Sequence, residues 1–165
     1  MMKPRQDLKP NTAAYETQAL VKPTGFREYD ARWILEKEIN LLGIQALGLG
    51  LATYVHEIGV APKIVTGHDF RGYSLSVKQA LILGLLEGGM EVLDIGLALS
   101  PTAYFAQFAL DAPCVARSDA TRSGIVISGS TCPFGLSTPS NKSSNSGSST
   151  CHIACRRWPV SGSPF

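Results

Sequence analysis

The stretch "APKIVTGHDFRGYSLSVKQALILGLLEGGMEVLDIG", residues 61–96, predicts a strand, a helix and a second strand in succession. Its first part is a β-branched run entered through Pro62 and left through Gly67, which is typical of a strand. The loop "GHDFRGYS" follows, and Ser74 is placed to cap a helix that is apolar nearly all round. "MEVLDIG" is the second strand. This order favours a parallel sheet covered by helices.

The pattern continues upstream, where "LEKEINLLGIQALGLGLATYVHEIG", residues 35–59, predicts a helix that stops at Gly59. Apolar residues recur along it at helical intervals: Ile39, Leu42, Ala46, Leu49 and Tyr54. Three internal glycines each weaken a helix by about 1 kcal/mol relative to alanine. They are Gly43, Gly48 and Gly50. We expect them to permit close packing against a sheet.

Downstream, Ser100 and Pro101 supply a cap and a first-turn proline for the helix "TAYFAQFALD", and "APCVA" begins a third strand. The strands are apolar enough to be buried on both faces. We therefore predict an α/β fold of three layers, α/β/α, with a mostly parallel or mixed sheet. Ligands of such sheets lie beyond the carboxyl ends of the strands, here the loop at 67–73 and the segment after Ala116.

The pattern is lost from Ser118 onward, where 13 of the last 48 residues are serine. "GIVIS" can form a short strand, but "STPSNKSSNSGSST" has too few apolar residues to offset chain entropy. The sequence thus predicts a polar arm at 1–24, a domain at 25–117 and a Ser-rich, poorly ordered tail at 118–165.

Composition excludes several classes of function. The net charge of +2 is small and the basic residues are scattered, so no nucleic acid is expected. The polar N-terminus does not resemble a secretory signal or a membrane anchor. No apolar run reaches the roughly 20 residues of a membrane helix. We therefore expect a cytoplasmic protein. "CHIAC" places Cys151, His152 and Cys155 together, but no second ligand pair follows, so no metal is predicted.

Two motifs resemble a known family. "FREYDARW", residues 26–33, and "GHDFRGYS", with the strand and helix order around them, are similar to the first domain of the α-D-phosphohexomutases, the phosphomannomutase/phosphoglucomutase family. The resemblance runs from about Gly25 to Ala116. It implies an isomerase of carbohydrate metabolism, an intramolecular phosphotransferase that moves phosphate between the 1- and 6-positions of a hexose phosphate. Complete members use a serine in a "TASHNP" loop after the third strand and Mg²⁺ held by the second domain.

The resemblance also implies site residues. Tyr29 and Arg32 match the "YDxRG" signature, which lines the cleft, and would bind substrate, because the fixed fork of an arginine suits phosphate oxygens. Trp33 stands where the family has glycine. Asp69 and Arg71 match a D-x-R loop, where we expect them to bond to the backbone and to each other and so structure the loop.

The family pattern is lost after Ala116, where "CVARSDATRSG" replaces a strand running into "TASHN". A straight count puts Thr121 and Arg122 at the serine and histidine positions, and the serines of this segment lack the glycine setting of a nucleophile. We therefore assign no catalytic residue. A frameshift, a rearrangement and a genuine variant remain open as origins.

Two functions follow from these observations. The first is a truncated first domain of the family, which we expect to be inactive alone. It should bind no cofactor, although the complete enzyme uses Mg²⁺. The sequence does not indicate whether the family activity prefers mannose phosphate or glucose phosphate. The alternative is a non-catalytic binding or regulatory module that docks on a partner through its α/β domain. We also expect self-association, because the third strand would lack its normal continuation and leave apolar surface and sheet edges exposed.

Overall fold

The computed structural model describes residues 4–27, 30–121 and 124–131. These residues form four α-helices: α1 (Ala13–Thr17), α2 (Leu41–Glu57), α3 (Ser74–Glu87) and α4 (Ser100–Ala109). They form five strands: β1 (Asp30–Trp33), β2 (Lys63–His68), β3 (Glu91–Leu97), β4 (Cys114–Thr121) and β5 (Gly124–Thr131). The tail predicted to be disordered from about 138 lies outside the described residues.

The five strands form one sheet in the order β1-β5-β4-β2-β3. β2 pairs in parallel with β3 and with β4. β5 pairs antiparallel with β4 on one side and with β1 on the other. β1, β2, β3 and β4 therefore run in the same direction and β5 runs against them, which confirms the prediction of a mostly parallel or mixed sheet.

Helices cover both faces of this sheet. On one face, α2 and α3 bury a large apolar cluster that includes Ile44, Leu81 and the strand residue Ile64. On the other face, α4 covers a smaller cluster that includes Val65 and Val115. Successive residues of β2 thus point to opposite layers, as the pleat of a strand requires. The three-layer α/β/α prediction is confirmed.

The N-terminal end of α2 is organised by the buried side chain of Asn40. Its Oδ1 accepts hydrogen bonds from the backbone N–H groups of Gly43 and Leu20, both at 2.8 Å. Its Nδ2 donates to the carbonyl oxygens of Tyr15 at 2.9 Å and Gln18 at 2.8 Å. The first bond is an N-cap, and the other three tie the N-terminal arm to the helix.

The contact of α2 with α3 depends on two glycines. A Cβ at Gly48 would collide with the carbonyl oxygen of Leu81, and a Cβ at Gly84 would collide with that of Gln45. The two helix backbones therefore approach each other directly. The expectation that the α2 glycines pack against the sheet was wrong for Gly48, which packs against α3. A Cβ at Gly43 would meet the carbonyl of Leu20 in the N-terminal arm.

The structure also corrects the extent and the buried face of α2. The helix begins at Leu41 and not at residue 35, because Asn40 caps it and residues 36–38 form a turn. Ile39 is fully buried but precedes the helix. The apolar residues Leu42, Ala46, Leu49 and Tyr54 are half-buried, and the buried face lies along other positions: Ile44, Leu47, Gly48, Leu51, Ala52 and Val55.

The third strand continues past the boundary at residue 117. β4 runs to Thr121, and "GIVIS" begins β5, so part of the segment assigned to the tail is paired sheet. Thr121 pairs with Gly124 at the hairpin end, and Cys114 pairs with Thr131 at the other. Cross-strand hydrogen bonds stabilise these polar residues, and composition alone does not indicate them. The expectation that β4 would leave an unpaired sheet edge is wrong, because β5 pairs with it.

The predicted cap of the last helix is also wrong. Leu99 is the N-cap residue of α4 and Ser100 is its first helical residue, so the Ser100 hydroxyl makes no capping hydrogen bond. Pro101 lies in the first turn, as predicted.

We predict that Asn40→Ala lowers the free energy of unfolding by about 3 kcal/mol, because two donors and two acceptors lose their partner. The matched control is Thr12→Ala, which removes the exposed cap of α1 and should cost about 0.5 kcal/mol. Denaturant unfolding monitored by circular dichroism measures both. Equal losses in the two variants would contradict the role given to Asn40.

Candidate functional site

The parallel strands bring several charged residues to one edge of the sheet, the carboxyl edge, where β1, β2, β3 and β4 all end. Val126 of β5 pairs with Arg32 on one side and with Asp119 on the other. On the next strand, His68 is in register with Ser118. The carboxyl edge of the sheet therefore contains Arg32, the end of β4 and the loop after β2. This is where ligands of open α/β sheets bind.

Arg32 presents a guanidinium that is 59% exposed. Its Nε and Nη2 donate to Oδ2 of Asp30 at 2.9 and 2.7 Å, and this hydrogen bond, together with the charge of Asp30, raises the pKa of Arg32. The carboxylate holds one side of the guanidinium, so the arginine is oriented while still open to solvent. Tyr29, the other predicted substrate-binding residue, lies outside the described residues.

Trp33 has a structural position that the sequence did not indicate. The side chain is 1% exposed, and its Nε1 donates to the carbonyl oxygen of Lys22 at 2.7 Å. The ring of Phe26 meets it edge-on at 5.0 Å between centroids. A Cβ at Gly25 would collide with the indole. The tryptophan thus fixes the segment before β1 against the core.

Asp69 organises the loop after β2. Its Oδ1 accepts hydrogen bonds from the Arg71 backbone N–H at 3.2 Å and from the Ser74 hydroxyl. Its own N–H donates to the carbonyl oxygen of Ser118 at 3.2 Å, which joins the loop to β4. The Arg71 guanidinium lies 4.0 Å from its Oδ2. The predicted Ser74 cap is wrong, because Tyr73 is the N-cap residue and the Ser74 hydroxyl is bound to Asp69.

The end of β4 contributes a buried ion pair that the sequence analysis missed. Arg117 is 8% exposed, pairs with Asp119, and donates from Nη1 to the carbonyl oxygen of Ala98 at 3.0 Å. Burial, and the nearby charge of Asp69, raise the pKa of Asp119 against the opposing effect of Arg117. The folded state binds this proton more tightly than the unfolded chain does, so Asp119 alone favours the fold as pH falls.

A second pair lies between α3 and β3. The ammonium of Lys78, whose side chain is 4% exposed, donates to both oxygens of Asp94 at 2.8 and 2.6 Å. The Gly96 backbone N–H adds a third bond at 2.9 Å. Burial alone would raise the pKa of Asp94, but these bonds and the positive charges of Lys78 and His68 lower it. The lysine occupies a buried position of α3, where an ammonium needs a partner.

Sequence reasoning missed the charged pair in β4 because it placed Ser118 and all later residues in the tail. One signal was present: "CVARSDAT" and "GIVISGST" are two runs with β-branched residues separated by two residues, the spacing of a hairpin. The Ser-rich composition that follows outweighed it.

The described residues also form a half-open pocket of about 280 Å³ between the N-terminal arm and the start of α2. Glu16 and Glu36 line it beside Tyr15. Burial, followed by the charges of Glu36 and Glu16, raises the pKa of the Tyr15 phenol. Two carboxylates make this pocket unsuitable for a phosphate ester.

Comparison with known proteins places these observations in a family. The family model described as phosphoglucomutase/phosphomannomutase, alpha/beta/alpha domain I, matches residues 23–136, which continues past Ala116 and includes β5. Phosphomannomutase of Escherichia coli is 39% identical over 87 residues, which are 53% of this chain and 18% of that protein. A probable phosphoglucosamine mutase of Pyrococcus horikoshii is 47% identical over 60 residues, 36% of this chain and 12% of that protein.

A solved structure shares the fold. The phosphoglucomutase/phosphomannomutase family protein of Burkholderia thailandensis superposes with a TM-score of 0.60 at 21% identity, over 67% of this chain and 26% of that one. The match therefore spans about a quarter of that structure and less than a fifth of the E. coli relative.

We predict that the Lys78–Asp94 pair makes stability fall in acid. The pKa of Asp94 is lowered in the folded state, so its contribution is present above the ordinary carboxyl pKa and is lost as pH falls through the lower folded value. Asp94→Asn should be less stable than the parent at neutral pH and should lose less stability on acidification, as measured by denaturant unfolding at several pH values.

The control for this prediction is Asp7→Asn, which removes a fully exposed partner of Arg5. In high salt, which screens exposed charges, this variant should keep the pH profile of the parent. A profile for Asp94→Asn as steep as that of the parent would contradict the prediction.

Proposed function

Because the chain belongs to the phosphoglucomutase/phosphomannomutase family, whose α/β/α domain I it carries, we propose that its carboxyl edge is the part of a hexose-phosphate site that this domain contributes. One observation carries the proposal: Arg32, the Asp69 loop and the end of β4 meet at that edge. We further propose a cytoplasmic location. Among the described residues, no helix is long and apolar enough to cross a membrane.

Arg32 is the proposed phosphate ligand of this chain. Its guanidinium is exposed, always charged and held by Asp30 from one side only, so its remaining N–H groups can bind phosphate oxygens. Tyr29 is proposed beside it from the family signature alone. Asp69 and Arg71 are proposed as loop-structuring residues, and the bonds that Asp69 makes to Arg71 and Ser74 support this role.

The same edge supports the proposal that the isolated chain is inactive. Only two residues separate β4 from β5, and the backbone of the last β4 residues is paired with β5. The Asp119 carboxylate lies beside Asp69 in this region, and its counter-charge, Arg117, is already engaged. Phosphoryl transfer depends on positive charge and on positioning. Near the end of β4, Arg71 and Arg117 each lie beside a carboxylate, so neither supplies uncompensated positive charge.

The register of the hairpin also bears on the serine. "SGSTCP", residues 128–133, has the serine and proline spacing of the family's "TASHNP" loop and lies within the matched residues. However, Ser130 is in register with Val115, three residues before Ser118 on β4, which puts it about 10 Å from the carboxyl edge. Thr121 lies at the correct end of the sheet, but its backbone is paired with Gly124 at the end of the hairpin. The geometry therefore favours neither residue as a replacement for the phosphoserine.

Magnesium, which complete family members use, does not fit the described residues of this chain. They contain no group of three or more side chains that could bind a metal. At the carboxyl edge, Asp69 is bonded to its own loop and Asp119 is paired with Arg117. We propose that Mg²⁺ is held outside this domain, as the family resemblance implies.

The alternative function, a binding or regulatory module, has one observation in its favour. Phe105 is 71% exposed and Leu99 is 72% exposed on the layer formed by α4, although both residue types are usually buried. A surface of this kind fits a protein partner better than it fits a sugar phosphate.

We predict that the purified chain shows no mutase turnover with mannose or glucose phosphates in the presence of Mg²⁺ and a hexose bisphosphate. The reason is that only two residues separate β4 from β5, which leaves no extended loop for a phosphoserine directly after β4. A coupled assay measures it, with a complete family enzyme as the positive control. Turnover that persists through further purification would show the proposal of inactivity to be wrong.

We predict that Arg32→Ala weakens the binding of a hexose 6-phosphate by about ten- to a hundredfold, since a hydrogen bond to a charged group contributes about 1.5–3 kcal/mol. Arg32→Lys should retain part of the affinity. Arg5→Ala, which removes another exposed arginine paired with an aspartate, is the matched control and should bind as the parent does. Amide chemical shifts followed during titration report both the affinity and the location. Equal affinities of Arg32→Ala and the parent would exclude Arg32 as the phosphate ligand.

A further inference from the structure

α4 has its polar and apolar sides reversed relative to an ordinary surface helix. The inward side carries Ala103 and Gln107, and the buried Gln107 amide donates to the carbonyl oxygen of Pro113 at 2.8 Å. The outward side carries Tyr104, Phe105 and Phe108, which are 41%, 71% and 64% exposed. A helix that faces water normally presents polar residues on that side. The outer side of α4 therefore has the composition of a buried surface.

The exposed apolar residues continue into the segment before α4. Leu97 and Leu99 are 66% and 72% exposed, and we call them, together with Tyr104, Phe105 and Phe108, the α4 face. An aromatic side chain offers about 150–250 Å² of surface, so at these exposures the five residues present on the order of 600 Å². This is at the upper end of the largest apolar patch of a typical monomer, about 300–600 Å². It approaches the roughly 800 Å² per partner of a stable protein interface.

We propose that the α4 face is the interface through which two copies of this chain associate about a two-fold axis. No charged residue or histidine occurs between Ile95 and Leu110. Two copies of this face can therefore meet without placing like charges together, and no unpaired charge is buried. A two-fold interface brings the same patch of each copy together, which an uncharged apolar surface allows.

The sheet leaves the α4 face accessible to a second copy. β3 is an edge strand, and among the described residues its only neighbour in the sheet is β2. Leu93 and Ile95 of β3 are only partly buried beneath α4. The apolar surface thus extends from the helix towards the sheet edge. A two-fold contact that packs α4 against its copy would cover Phe105, near the middle of the helix.

Sedimentation of the full chain over a wide concentration range tests this proposal. The parent should form a dimer, and Phe105→Glu should weaken it by at least about 30-fold, the effect of losing one central interface residue. The matched control is Leu83→Glu on the outer side of α3, where Leu83 is 56% exposed, and it should leave the dimer unchanged. Circular dichroism verifies that both variants are folded.

Hydrogen exchange of the parent chain gives a measurement that needs no variant. Amides of residues 97–108 should become more protected as the concentration rises, while those of α3 should not change. A monomer at every concentration would overturn the proposal, as would a dimer that Phe105→Glu leaves intact. Equal weakening by Leu83→Glu would also overturn it, because the association would then not be specific to the α4 face.

Discussion

The buried amide of Asn40 is the interaction on which the helical layer depends. It accepts two hydrogen bonds and donates two, so none of its polar capacity is left unpaired in the interior. It starts α2 at Leu41 and holds the N-terminal arm against that helix. With its start set by Asn40, α2 brings Gly48 against α3, where the two backbones meet with no side chain between them. α3 in turn covers the sheet.

The position of β5 decides the chemistry of the carboxyl edge. By pairing with both β1 and β4, it completes the sheet and places Arg32 and Asp119 in one row. The same pairing uses the backbone of the last β4 residues in a hairpin. These residues therefore cannot form an extended loop around a phosphate. The feature that completes the fold thus also restricts the site.

The charged pairs of this domain differ in what surrounds them. Lys78 and Asp94 satisfy each other and a backbone N–H, so the buried ammonium is compensated. Asp119 has a pKa that is raised despite its arginine, because burial and the charge of Asp69 oppose ionisation. The Lys78–Asp94 pair favours the fold at neutral pH. The surroundings of Asp119 oppose its ionisation at that pH. Regions that carry such perturbed groups are often functional.

The amino-acid sequence determined the layered architecture and indicated the family. β-Branched runs ending in glycine, and helices apolar on several sides, predicted β2, α3 and β3 and the three layers, because strand and helix periods are local properties. The motifs that contain Arg32 and Asp69 predicted the family. The origin of the residues after Ala116 could not be read from this local pattern.

Only the tertiary structure decided the course of β4 and β5, the buried face of α2 and the bonding of Ser74. Polar residues such as Ser118 and Asp119 occupy a strand because neighbouring strands supply their backbone partners, and such pairing depends on residues distant in sequence. The buried face of α2 includes Gly48, which lies directly against the backbone of α3. Ser74 bonds to Asp69 and not to its helix, because the fold places a carboxylate within reach.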